Sequence, residues 1–171
     1  GHAMACDVSD QAQVQTMFAQ ALQINGKIDI LLNNAGGPGP IAPVAEVDME
    51  AWIQCMNINI VGAMYCLQEA AQIMGAQKSG SIINMSSLMG LQGYPMRSAY
   101  VASKFALIGI TETMARELGP LNVRVNALMP GAVSGENMDR ILAHRAEAEG
   151  RSTEEIEREN YTDVAALKRW V

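Results

Sequence analysis

Aromatic residues make up only 5% of the 171-residue chain, and Lys and Arg (12) are outnumbered by Asp and Glu (18), for a net charge of −6. No basic stripe interleaved with aromatics occurs, so the footprint of a nucleic-acid binder is missing. No apolar run approaches the roughly 20 residues of a membrane span. The longest polar-free stretch, IVGAMYCL (60–67), is far too short, so no membrane partner is expected. No signal-peptide pattern opens the chain. Cysteine is scarce as well. Cys6, Cys55 and Cys66 are odd in number and lack ligand-like spacing. That argues against a disulfide framework and a metal site, and it predicts reduced thiols in a cytoplasmic protein.

What is present suits one α/β domain over residues 1–171. Hydrophobic residues are 49% and charged residues 18%, enough for a real core. The twelve methionines are scattered and read as core filler. The chain opens without Met inside a strand-like run and stops at AALKRWV with no cap or turn signal, so both ends read as cut.

Strand-length apolar runs alternate with helical patterns. HAMAC (2–6) reads as a strand. Ser9 then caps a helix to about Asn25, whose Val14, Met17, Phe18, Ala21 and Leu22 make one stripe. IDILL (28–32) reads as a buried parallel strand, and GGPGPIAP (36–43) as a loop. Asp48 caps a helix over about 49–76. Its middle, 55–68, is apolar nearly all round and calls for a cover on both sides. GSIINMSS (80–87) is a strand running into a loop, 99–118 a helix, and VRVNALMPG (123–131) a strand. Two polar helical stretches follow, the second opening with a Ser152–Glu155 capping box. Such alternation predicts a doubly wound parallel sheet with helices on both faces. Ligands bind beyond the carboxyl ends of strands in these sheets, where Asp7, Asn33–Gly36, Ser86–Ser87 and Pro130–Gly131 would gather.

Tyr100 and Lys104 stand at i and i+4, on one helix face. A positive charge ~5 Å from a phenol favours the phenolate by ~3 kcal/mol at an effective dielectric of about 20. That suits proton transfer to and from a carbonyl oxygen. Such a pair also arises by chance, so context decides its value. Ser87, thirteen residues before Tyr100, can offer a hydroxyl to a substrate oxygen, or it can simply form a turn. Asn59 is a poor helix former inside a helix. It either bonds to backbone or orients water near Lys104, and Asn57 is its rival.

These residues together resemble the short-chain dehydrogenase/reductase family. The matching set is Cys6-Asp7-Val8, Asn33-Asn34-Ala35-Gly36, Asn59, Ser87, Tyr100 through Lys104, and Pro130-Gly131, in the family's order and spacing. The resemblance implies a Rossmann-like fold and a nicotinamide cofactor, NAD or NADP. It also implies interconversion of a small-molecule alcohol and ketone by hydride transfer. It makes Tyr100 the general acid/base, with Lys104 stabilising its phenolate and holding the nicotinamide ribose. Ser87 would orient the carbonyl, and Asn59 would support a proton relay. Asp7 and Val8 would meet the adenine end, and Asn34, Ala35 and Gly36 the adenosine ribose. Pro130, Gly131 and Val133 would flank the nicotinamide. Residues 136–160 would be the substrate lid. The helices at 49–76 and 99–118 would join subunits into a homodimer or homotetramer.

Two departures stand out. The family's opening Thr-Gly-x-x-x-Gly-x-Gly turn is absent, and GGPGP cannot replace it because its prolines open no helix. HAMAC would then lack its two flanking strands, and the chain alone is expected to bind cofactor weakly and to be inactive. A carboxamide-gripping Thr five residues after Pro130 is also replaced, by Gly135 after Ser134. Two other readings are a non-catalytic binding or assembly chain and a related epimerase or dehydratase. The thirteen-residue Ser-to-Tyr spacing favours the dehydrogenase.

Overall fold

The computed structural model describes residues 1–165 and 167–170, excluding the side chains of Asn137, His144, Arg145, Ala148 and Glu149. It divides into two compact units, 1–129 and 130–171. In the first, helix α1 (Gln11–Asn25) is capped by the Asp10 carboxylate, which accepts from the Ala12 and Gln13 amides, and it stops at left-handed Gly26. Asp10, not Ser9, is therefore the cap. Ser9 instead donates through its amide and hydroxyl to Asp7, at 2.9 and 2.7 Å.

Strands β1 (Ile30–Asn33), β2 (Gly80–Met85) and β3 (Val123–Leu128) form one parallel sheet in that order. Leu31 pairs with Ile82, and Ile82 with Val125. Residues 2–6 form no strand, contrary to the sequence reading. A strand needs a laddered neighbour for its N–H and C=O groups, and residues 2–6 pair with none of β1, β2 and β3. Cys6 and Val8 pack against the core instead. The other strands are shorter or shifted: β1 begins at Ile30 rather than Ile28, β2 ends at Met85, and β3 at Leu128.

The run predicted as one helix over 49–76 is α2 (Met49–Met56), a π-helical turn (Asn57–Gly62) and α3 (Ala63–Gln77). Helix α4 (Ser98–Leu118) matches expectation to a residue and ends in a Gly119–Leu121 turn. The core joins Val14 and Phe18 of α1, Cys66, Leu67, Ala70 and Met74 of α3, and Met114 and Leu118 of α4. These meet Ile82, Val123 and Val125 on one sheet face, which Leu31 shares by strand alternation. The opposite face carries Ile30 and Leu32, 67% and 55% exposed.

A polar chain crosses this core. Asn33 donates to the Ala63 carbonyl (3.2 Å) and to Asn84 (3.3 Å), and Asn84 donates to the Thr111 hydroxyl (2.9 Å). Thr111 in turn donates to the Leu107 carbonyl (2.6 Å). It ties α3, both strands and α4 together with every link paired, as burial demands.

In the second unit, α5 (Glu136–Glu149) is followed by α6 (Thr153–Glu157), which opens with the expected Ser152–Glu155 capping box. The rings of Tyr161 and Trp170 stack with centroids 5.4 Å apart. All three cysteines are free thiols. Among the described residues no helix is long and apolar enough to cross a membrane.

Candidate active site

The carboxyl end of β2 is stitched to α4. Ser86 is 4% exposed, and its hydroxyl donates to the Lys104 carbonyl at 2.8 Å. Ser87, next to it, is half-buried and stays outside that contact. Its hydroxyl accepts from the Met89 amide at 3.2 Å and opens the short 88–90 turn. Gly90 closes that turn against α4, where a Cβ would stand 2.5 Å from Ser86 Oγ and 2.8 Å from the Lys104 carbonyl. The serine pair is thus divided: one holds the helix, and the other keeps a hydroxyl near the surface.

Lys104 is 6% exposed. Its ammonium donates to the Met85 carbonyl at 2.7 Å and lies 5.4 Å from the Tyr100 ring centroid. Burial holds its pKa below the usual lysine value, while Cys55 pulls it slightly back up. Burial also pushes the Cys55 thiol up, against the pull of Arg97 and Lys104.

Asn59 is 1% exposed, inside the π turn. Its Oδ1 accepts from the Gly37 amide (2.7 Å). Its Nδ2 donates to the Gly37 carbonyl (3.0 Å) and to Ser103 Oγ (3.0 Å). Both ends of the amide are therefore spent on backbone and on Ser103, in line with the backbone-bonding one of its two sequence readings. Asn57 instead lines an open cleft of about 380 Å³ with Asp7, Ser9, Gln54 and Tyr65. A Cβ at Gly36 would stand 3.1 Å from Asn59 Oδ1 and 3.9 Å from Lys104 Nζ. Gly36, Asn59 and Lys104 are thus neighbours, and Asn34, Ala35 and Gly36 are exposed after β1.

Asp7 and Val8 lie on the first unit without a strand behind them. Hydrogen bonds from Ser9 hold the Asp7 carboxylate below its ordinary pKa. A Cβ at Gly62 would come within 2.9 Å of Val8 Cγ2 and of the Val8 carbonyl, so Gly62 lets that segment lie on the helix. Pro130, Gly131 and Val133 belong to the second unit, ahead of Gly135, whose φ of 148° precedes α5.

The sequence reading missed Arg97. Its guanidinium lies 5.0 Å from the Tyr100 ring centroid, and Nη2 donates to the Pro38 carbonyl at 3.2 Å. The available signal was a basic residue where a helix normally has a capping side chain.

Parallel strands joined by helices, with polar residues gathered past the strand ends, define the Rossmann-type, doubly wound α/β class. The family model for short chain dehydrogenase matches residues 1–146. The chain belongs to the short-chain dehydrogenase/reductase family, a family of oxidoreductases. It is 38% identical over 143 residues to a 2,5-dichloro-2,5-cyclohexadiene-1,4-diol dehydrogenase of Sphingobium indicum, covering 82% of this chain and 57% of that protein. The chain thus spans a little over half of that relative's length. NAD+-bound xylitol dehydrogenase superposes with a TM-score of 0.89 at 31% identity, over 98% of this chain and 66% of that one. Sorbitol-6-phosphate 2-dehydrogenase from Erwinia amylovora gives 0.92 at 28% identity, over 99% and 66%.

Proposed function

We propose that the chain carries the proton-transfer half of an NAD- or NADP-dependent site that interconverts a secondary alcohol and a ketone of a small molecule. The observation that carries this reading is the buried Lys104 ammonium beneath the Tyr100 ring, fixed by the Met85 carbonyl. Tyr100 gives its hydroxyl proton to the carbonyl oxygen on reduction and takes one back on oxidation. Lys104 stabilises the phenolate between those events. Ser87, whose hydroxyl is only half-buried, orients the substrate oxygen. Asn59 acts through what it holds, keeping the 36–37 backbone and Ser103 fixed beside Lys104, where the proton relay runs.

The nicotinamide, when bound, supplies or takes up the hydride. The residues fit its ribose end: bare backbone at Gly36 leaves the Lys104 ammonium approachable by a sugar. Asn34, Ala35 and Gly36 would hold the adenosine ribose, Asp7 and Val8 the adenine end, and Pro130, Gly131 and Val133 the nicotinamide. No Thr-Gly-x-x-x-Gly-x-Gly turn is present to receive the pyrophosphate. The 171-residue chain alone therefore binds NAD(H) or NADP(H) weakly and is inactive. The same reading takes 1–171 as one domain with a substrate lid over 136–160. It pairs copies through the helical runs 49–76 and 99–118, where Met49 and Ile53 are more than half exposed.

Two measurements test this. Joined behind the strand, glycine-rich turn and following elements of a relative, the chain is expected to transfer hydride, and Tyr100→Phe is expected to lower kcat by about 10²–10⁴-fold. Undiminished turnover in that variant removes tyrosine from the mechanism. Calorimetry on the unextended chain is expected to detect no tight binding, and stoichiometric tight binding would defeat the claim of weakness.

A further inference from the structure

Three unfavourable features converge on the residue just before α4. Arg97 places a cation at the N-terminal end of a 21-residue helix, where the helix dipole repels it, and it makes no capping bond. Its Nε is a buried nitrogen with no hydrogen-bond partner among the described residues. The residue that aims it, Met96, has a φ of 63°, a left-handed conformation that a side-chain-bearing residue resists. Features that cost stability persist where the surroundings hold them for a purpose.

What the arginine touches suggests the purpose. One face of the guanidinium covers the Tyr100 ring. One nitrogen donates to the Pro38 carbonyl, in the loop after β1. That loop is held at two further points, by Asn59 on both polar groups of Gly37 and by the Ala42 amide on the Met96 carbonyl. Arg97 is the one of these links that also reaches the tyrosine ring.

We propose that Arg97 is a positioning residue that locks the 36–43 loop and the Tyr100 ring into one unit, so that the loop cannot shift without turning the phenol. The proposal rests on Tyr100 as the acid/base only for its catalytic consequence; the mechanical lock stands on the contacts alone. Whatever occupies the loop's exposed side would then be sensed at the hydroxyl that moves the proton.

The lock is tested first on the unextended chain, with tyrosine rings labelled for NMR and the Tyr100 signals assigned by their loss in Tyr100→Phe. Arg97→Met is expected to move the Tyr100 ring signals and speed ring flipping, and to raise amide exchange at Gly37 and Ala42 about tenfold. Arg97→Lys is expected to keep the ring signature, because a cation still covers it, while loop exchange rises. Arg97→Gln, which can still donate to Pro38, should do the reverse. Ring signals and loop exchange unchanged in Arg97→Met would overturn the proposal, as would Lys and Gln variants that both behave like Met. In the extended, hydride-transferring protein, Arg97→Met should lower kcat about tenfold with KM little changed, and Arg97→Lys should recover most of it. If Tyr100→Phe proves fully active, the acid/base reading fails, while ring and loop readouts still decide the lock.

Discussion

The two ends of α4 are built on opposite terms. The C-terminal end carries Met114 and Leu118 into the main core, closes with a Gly119–Leu121 turn and holds no buried charge. The N-terminal end has no side-chain cap, a left-handed methionine before it, an arginine on a tyrosine and a lysine that is 6% exposed. One end gives stability, and the other gathers the features that cost it.

The largest test of that contrast is truncation at each end. Leu118→Ala should lower unfolding free energy by about 2–4 kcal/mol, because it opens a cavity in the main core. Arg97→Met should change it by less than about 1 kcal/mol, because it removes an unpaired buried donor along with two contacts. Urea denaturation of both variants measures the difference, and equal losses would erase the distinction.

Titration sharpens the comparison further. Burial pushes the Cys66 thiol, beneath the stable part of the fold, from 9.0 up to about 11. The folded state keeps that proton longer than the unfolded chain. Its contribution is therefore complete below pH 9 and is lost as pH climbs toward 11, about 2–3 kcal/mol in all. Lys104 runs the other way. Its depressed pKa means the unfolded chain holds the proton more tightly. Stability from this group therefore rises with pH between its folded value and 10.5. Cys66→Ala should flatten the alkaline loss, and Lys104→Met should steepen it, both read from denaturation midpoints between pH 8 and 11.

The smallest expected effect separates two neighbouring residues. Asp10→Ala should cost about 1 kcal/mol through the lost α1 cap. Ser9→Ala should cost less than about 0.5 kcal/mol, since its partner Asp7 is exposed. Reversed values would restore Ser9 as the cap.

The pattern of apolar runs was enough to foresee α1, α4, the three strands and the Ser152 capping box, because each rests on local periodicity or a local cap. What escaped it depends on partners distant in sequence. Residues 2–6 have strand composition but no strand to pair with. Ser86 and Ser87 are chemically identical; spacing to Tyr100 singled out Ser87, but the bond of Ser86 to the Lys104 carbonyl, eighteen residues away, appears only in the fold. Arg97 was passed over because neither the left-handed turn before it nor its stack on Tyr100 is written in residue type. Tyr100 and Lys104 were singled out because a helix brings i and i+4 together, and Asn59, with Asn57 as its rival, because asparagine is out of place in a helix interior.

The π turn at Asn57–Gly62 changes how its surroundings should be counted. Buried positions run Cys55, Asn59, Gly62, Ala63, Cys66, Leu67, Ala70 and Met74, crossing the turn without a break. The turn absorbs one surplus residue, so a single helical wheel drawn through 55–68 superimposes two phases. A chain with one residue deleted here would wind evenly as a plain α-helix, and the side chains from Ala63 onward would keep the face they now present.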